Sequence, residues 1–164
     1  LYRPDIALEG ASEAIKNADA EFHMFGGGSL RNEYKSRYGG TAGIIFHDFV
    51  QRSELMEEYS KHSLFINTSD YDNFPMSIVE AGINGMLVLT SDAEGISSIY
   101  TNDEVVFFKR GDAKDFKEKL SDVLKEFDKY ACKIENLKVK VSGFTWENTR
   151  EEWISLIEEK AEQQ

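Results

Sequence analysis

Two carboxylates, Asp72 and Glu80, stand eight positions apart on either side of a helix start that Pro75 marks. Proline is tolerated in a first helical turn because the N–H it lacks has no intrahelical acceptor there. Upstream, Ser63-Leu64-Phe65-Ile66 is a short, β-leaning apolar run. Downstream, Met76, Ile78, Val79, Ile83 and Met86 fit one helical face. Strand, polar loop and helix in that order put the loop at the carboxyl end of an open α/β sheet, where ligands collect. The free N–H groups of the first turn, around Met76 and Ser77, make a place for an anion such as a phosphate. Neutral donors with an acid on either side suit a molecule with phosphates in its middle and hydroxyls at both ends, and a nucleotide-sugar has that shape. Spacing alone leaves a plainer reading open, with Asp72 a turn residue and Glu80 a solvated helix position.

The elements around this stretch alternate along the whole chain. Asp5 is a cap or first-turn acid for a helix whose apolar stripe is Ile6, Ala7, Leu8, Ala11 and Ile15 and which ends near Asn17. Residues 20–25 alternate and are aromatic, so they read as a strand, and Gly26, Gly27 and Gly28 allow it a tight turn and close backbone approach to a ligand. A polar helix from Arg31 to about Tyr38 follows, then a strand within residues 43–50 whose exit loop carries His47, Asp48 and Phe49. Ser53 and Glu54 begin a helix that turns Leu55, Met56 and Tyr59 inward and ends near His62. Met86-Leu87-Val88-Leu89-Thr90 is a continuous apolar run suited to a strand covered on both faces. Val105-Val106-Phe107-Phe108 is the last strand, and Asp112 caps a long helix carrying Phe116, Leu120, Val123, Leu124 and Phe127. Residues 131–141 are mixed, with a faint helical period. Thr145 caps a final helix over 146–164 with Trp153, Ile154 and Ile157 along one side, and its far end beyond Glu158 is expected to fray. This alternation predicts an α/β fold, a Rossmann-like parallel sheet with helices on both faces.

At 164 residues the chain is expected to form a single domain. Its formal net charge of -11 opposes binding nucleic acid or anionic lipid through a general basic surface, while leaving room for one local basic pocket. No apolar run approaches the ~18 residues that span a membrane. The single cysteine, Cys132, excludes an internal disulfide. His23, His47 and His62 are scattered, with no carboxylate at ligand spacing, so structural or surface roles are expected and no metal motif is present.

The stretch from Asp72-Asn73-Phe74-Pro75 to Glu80-Ala81, with Gly85-Met86-Leu87-Val88-Leu89-Thr90 behind it, resembles the donor-site signature of GT-B glycosyltransferases of family 4. Those enzymes carry a Glu-x7-Glu motif, roughly Glu-Gly-Phe-Pro, four variable residues and Glu-Ala, followed by a Gly-x-Pro-Val-Ile-Ala/Thr strand. The likeness covers most of the chain. Gly26-Gly27-Gly28-Ser29-Leu30 is similar to the family's Gly-Asp-Gly-Pro-Leu turn, and residues 44–50 to its Val-x-Phe-x-Gly-x-Val segment beside the nucleotide base. Ser91-Asp92-Ala93-Glu94-Gly95-Ile96 resembles Asp-Val-Gly-Gly-Ile-Pro-Glu, and Phe144-Thr145-Trp146 the family's Phe-Ser/Thr-Trp. Departures are Asp72 for Glu, Asn73, Asp48 and Glu94 for Gly, and Ser97 where Pro is common.

The resemblance implies the C-terminal, donor-binding half of a two-domain enzyme, cytoplasmic and serving cell-envelope polysaccharide synthesis. Its substrate would be a nucleotide-diphosphate sugar, with transfer retaining the anomeric configuration and no metal or other cofactor needed. Glu80 would hold the ribose hydroxyls and Asp72 the donor-sugar hydroxyls. The turn of Asn73, Phe74, Pro75, Met76 and Ser77 would take the diphosphate, Arg3 would stand near the family's phosphate-binding Lys, and Gly26, Gly27, Gly28, His47, Asp48 and Phe49 would lie by the donor. An exposed Arg near a terminus is the alternative for Arg3. In the family a central strand ending in Gly-Arg precedes the first helix, and neither is in this sequence. The chain is therefore expected to be part of a longer protein whose N-terminal acceptor domain lies outside it, with membrane association, if any, peripheral and through that domain. A sugar-nucleotide epimerase of the same architecture and a non-catalytic binding or scaffolding domain are the competing readings.

Overall fold

A computed structural model describes residues 2–162, so Leu1 and the last two residues of the expected terminal helix lie outside the described residues. The elements run α1 (Pro4–Ala14), β1 (Phe22–Met24), α2 (Arg31–Tyr38), β2 (Ile44–Phe46), α3 (Arg52–Tyr59), β3 (Leu64–Asn67), α4 (Met76–Ile83), β4 (Leu87–Ser91), α5 (Glu94–Ser97), β5 (Val106–Phe108), α6 (Ala113–Lys125), α7 (Ala131–Ser142) and α8 (Trp146–Glu162). Helix α7 fills the span whose periodicity was mixed. Thr145 does cap α8, its Oγ1 accepting from the Asn148 amide at 3.2 Å, and the helix continues past Glu158 to Glu162. Pro75 occupies the cap position itself, and α4 opens at Met76. Arg3, with φ 42°, caps α1, while Asp5 sits in its first turn.

All strand pairs are parallel. Strand β4 lies between β3 and β5, and every residue of it is buried. Its period of two divides the core: Leu87 and Leu89 pack with Ile6, Phe116 and Leu120 of α1 and α6, while Val88 packs with Ile78, Val79 and Leu137 of α4 and α7. Helices therefore cover both faces, as the unbroken apolar run predicts. Gly10 lets α1 lie directly on α6, since a Cβ there would run into the Phe116 ring. Lys117 Nζ, 2.9 Å from both Glu9 and Glu13, spans the same pair.

The sheet is in two parts. β1 and β2 pair with each other, β3, β4 and β5 form a second sheet, and among the described residues the two are not hydrogen-bonded together. A cavity of about 1030 Å³ lies between them, lined by residues of β1 and β3. A third cluster, Leu8, Tyr38 and Ile44, anchors the smaller sheet to α1.

Asp112 accepts from the amides of Lys114 and Asp115 at 3.0 and 3.1 Å and so closes the start of α6. Replacing it with alanine is expected to cost about 1 kcal/mol. Urea unfolding should show this as a lower midpoint with an unchanged slope.

Candidate functional site

The carboxyl ends of β3 and β4 are polar yet buried: Asn67, Thr68, Ser69, Thr90 and Ser91 all lie out of solvent. Buried polar groups must find partners. Asn67 Oδ1 accepts from the Ser69 amide at 2.8 Å, and the Ser91 hydroxyl donates to the Ser69 carbonyl. The Thr68 hydroxyl is shared between the carbonyls of Tyr2 and Arg3, each at 2.8 Å. These bonds fix where the loop at 70–74 leaves the sheet. From sequence alone Asn67, Thr68, Ser69 and Ser91 carry no individual role, although a polar run directly after an apolar strand is the signal that finds them.

Beyond this anchor, Gly95 carries the loop. A Cβ there would come within 2.8 Å of Asn73 Cα and closer still to the Asp72 carbonyl. Phe74 packs on Phe144 with ring centroids 5.6 Å apart, and Pro75 is buried. The first backbone bonds of α4 run from Ile78 and Val79 to the Pro75 carbonyl, which leaves the Met76 and Ser77 amides for an outside acceptor. Asp72 and Ser77 are half-buried and both line the cavity. Burial pushes the nearby Tyr100 phenol up to about 12, and the charge of Asp72 adds to it.

Glu80 is placed differently from Asp72. Its side chain is 17% exposed and does not line the cavity; Arg52 of α3 holds its Oε1 at 2.8 Å. The guanidinium is 76% exposed, so the pair is screened and weak, and Arg52 is free to swing away. Arg3 is likewise engaged: Nη2 lies 2.8 Å from Asp5 and Nη1 3.4 Å from Asp70. The hydrogen bond from Arg3 holds the Asp5 carboxyl below the usual carboxylate range. Arg110 also reaches Asp70, its Nη1 lying 3.5 Å from the carbonyl. It is a second cation at this end of the sheet which the sequence reading did not single out.

The other expected contacts form a separate group at the ends of β1 and β2. Gly26 and Gly28 have φ of 108° and 138°, and a Cβ on Gly26, Gly27 or Gly28 would meet nothing within 4 Å, so this turn is open to close approach. Arg31 joins it to the next loop, 2.6 Å from Asp48 Oδ1 and 3.4 Å from the His47 carbonyl. Phe49 is exposed.

The histidines, scattered in sequence, are not scattered in space. Parallel pairing sets Met24 opposite Phe46, which brings His47 beside β1. His23 Nδ1 lies 3.0 Å from His47 Nε2, the His47 ring stacks on Phe25 at 4.2 Å, and His62 meets His23 edge-on at 4.6 Å. Burial, and then the charge of His23, hold His62 below the usual imidazole range. Among the described residues no group of three or more His, Cys, Asp or Glu is arranged to hold a metal ion.

A family model described as glycosyl transferases group 1 matches residues 3–155. Among curated proteins, the chain is 31% identical over 108 residues to an N,N'-diacetylbacillosaminyl-diphospho-undecaprenol alpha-1,3-N-acetylgalactosaminyltransferase of Campylobacter jejuni, covering 65% of this chain and 28% of that protein. Among solved structures, a variant of TarM from S. aureus, in complex with fondaparinux, alpha-GlcNAc-glycerol and UDP, superposes with a TM-score of 0.80 at 20% identity over 94% of this chain and 32% of that one. The lipopolysaccharide outer core galactosyltransferase WaaB in its apo form gives 0.80 at 17% identity over 97% and 45%. At such identities these two show a shared GT-B fold. The chain spans about a third of the length of the relatives it matches first.

Gly95→Ala is expected to destabilise the domain by ~1–3 kcal/mol through overpacking against the loop. Gly27→Ala, with open space around it, should stay within about 0.5 kcal/mol of the parent. Thermal unfolding of both variants checks the contrast, and faster proteolysis near residues 70–74 in Gly95→Ala alone locates its effect.

Proposed function

The chain belongs to the glycosyl transferases group 1 family, and from that premise we propose that it is the donor-binding part of a glycosyltransferase. The full protein would move a sugar from a nucleotide-diphosphate sugar to an acceptor, with retention at the anomeric carbon. Uridine diphosphate sugars are the first donors to test, because several structural relatives are in complex with UDP. The single observation that carries this reading is the start of α4. Two amides, at Met76 and Ser77, are without acceptors, Ser77 lines the cavity with the half-buried Asp72, and Arg3 and Arg110 contact Asp70 near the same strand ends.

In the reaction, the bond between the anomeric carbon and the diphosphate oxygen breaks, and the acceptor oxygen bonds to that carbon. The electron pair leaves with the diphosphate, and the acceptor hydroxyl's proton passes to the departing diphosphate oxygen. Fixed N–H groups at a helix start and a neighbouring guanidinium stabilise that growing charge without reorganising. Asp72 would accept from donor-sugar hydroxyls and orient the ring. Glu80 would take the ribose hydroxyls once Arg52 turns outward. Because the leaving group is met by amides and arginines, transfer is expected to proceed without a divalent ion. The acceptor site belongs to polypeptide outside this chain, so residues 1–164 alone are not expected to turn over. Synthesis of envelope glycan on the cytoplasmic side of the membrane fits this assignment, with any membrane attachment made through the rest of the protein.

The Arg52–Glu80 pair favours a second reading, a binding domain of the same fold without catalysis. Calorimetric titration of the full-length protein with UDP separates the two. Under the transferase reading UDP binds, Glu80→Ala weakens it at least ~10-fold, about 1.4 kcal/mol, Arg52→Ala does not weaken it, and a chelator changes nothing. Absence of UDP and UDP-sugar binding by the wild type would overturn the donor assignment; a strict divalent-ion requirement would overturn the metal-free step.

A further inference from the structure

We propose that Tyr100 is a positioning residue for Asp72: with a nucleotide-sugar bound, its hydroxyl donates to one Asp72 carboxylate oxygen and leaves the other to accept from a sugar hydroxyl. This rests on the donor-binding reading and adds to it the residue that aims the acid. Two groups without partners point to each other. Tyr100 is 1% exposed, and its Oη is a buried atom with no hydrogen-bond partner among the described residues. A buried donor left unpaired forfeits its hydration without return, and native folds keep few of them. The Asp72 side chain is half-buried and, among the described residues, takes part in no hydrogen bond or ion pair.

Helix α5 carries the donor to the acid. Its Gly95 lies so close to the Asp72 carbonyl and Asn73 Cα that a Cβ would not fit. One turn on, the Tyr100 amide donates to the Ile96 carbonyl at 3.0 Å, so the same helical path delivers the ring. That ring packs in one cluster with Ile78 and Val79 of α4 and Leu137 of α7, and Lys140 Nζ stands 5.7 Å from its centre. Enclosed in this way, it cannot swing out to water. Burial, and then the charges of Asp72 and Glu104, push the phenol up to about 12, so at neutral pH it holds its proton for donation.

Of the two acids whose charge reaches the phenol, Glu104 is committed elsewhere. Its Oε1 lies 3.3 Å from Lys140 Nζ, and its Oε2 accepts from the Thr101 amide and hydroxyl at 2.6 and 2.7 Å. Asp72 is the uncommitted one. Its neighbours Tyr71, Asn73 and Phe74 are exposed, so the acid can settle onto the hydroxyl while the ring stays fixed. Hydrogen bonds at reacting sites often tighten only when the ligand is in place. A carboxylate accepts several bonds at once. Held on one oxygen by a rigid donor, it presents the other in a single direction, which is what selects among sugar hydroxyls. A nucleotide without its sugar gains nothing from this bond.

Calorimetric titration of the full-length protein with UDP, UDP-glucose, UDP-galactose and UDP-N-acetylglucosamine tests this, in wild type, Tyr100→Phe, Asp72→Asn and the double variant. For the sugar donor that wild type binds most tightly, Tyr100→Phe is expected to weaken binding ~10-fold, the loss of one hydrogen bond to a charged group. It should leave UDP affinity and the melting temperature unchanged, and add nothing once Asp72 is asparagine. Undiminished binding of the UDP-sugar, an equal loss for UDP, or a further loss in the Asp72→Asn background overturns the proposal. So does a marked fall in melting temperature or a failure to fold, because the hydroxyl would then already have its partner in the free protein. Wild type that binds UDP but no UDP-sugar overturns it and keeps the nucleotide site, whereas wild type that binds neither sinks the donor reading itself.

Discussion

The buried polar ends of β3 and β4 set the terms for everything at the candidate site. Side chains and peptide groups removed from water there must be bonded within the protein, and Asn67, Thr68, Ser69 and Ser91 bond to one another and to the carbonyls entering α1. A loop so anchored leaves the sheet in one direction only. Gly95 then admits it against the short helix α5, and Phe74 closes on Phe144. The start of α4 inherits its position from these contacts, and an anion site made of backbone amides is only as precise as the backbone that carries it.

Electrostatics act on a smaller scale than the net charge of -11 suggests. Screening confines exposed charges to their neighbours within about 10 Å, so what matters is which cations stand at the strand ends. Arg3 and Arg110 both contact Asp70 there, and Arg31 spans the two loops of the smaller sheet. Arg3 and Arg31 are ion-paired, to Asp5 and Asp70 and to Asp48, while Arg110 contacts the Asp70 carbonyl and is the less committed. An incoming diphosphate would compete with carboxylates for the paired guanidiniums, and with a doubly acidic ligand the exchange favours the ligand.

Much of the fold was legible along the chain because helices and buried strands write their period locally. The stripe Ile6, Ala7, Leu8, Ala11 marked α1, the run 86–90 marked β4, and Asp112 marked the start of α6 by the oxygen it offers to free amides. Two features were written more faintly. Residues 131–141 are helical although their pattern is mixed, since Leu137 and Val141 alone of that helix are buried, against α4. Of the two places open to Asp5, cap or first-turn acid, it takes the second, with Arg3 at the cap position and its guanidinium on the Asp5 carboxylate.

By itself the sequence determined the order of strands and helices and the identity of the donor-like turn at 72–80, for these depend on side chains within a few turns of one another. Only the tertiary structure decided that three distant histidines would meet, that Glu80 would be held by Arg52 from another helix, and that the sheet would part between β1 and β3. Such facts follow from which strand edges pair and which helix faces touch. Those pairings join residues tens of positions apart, and no local period records them.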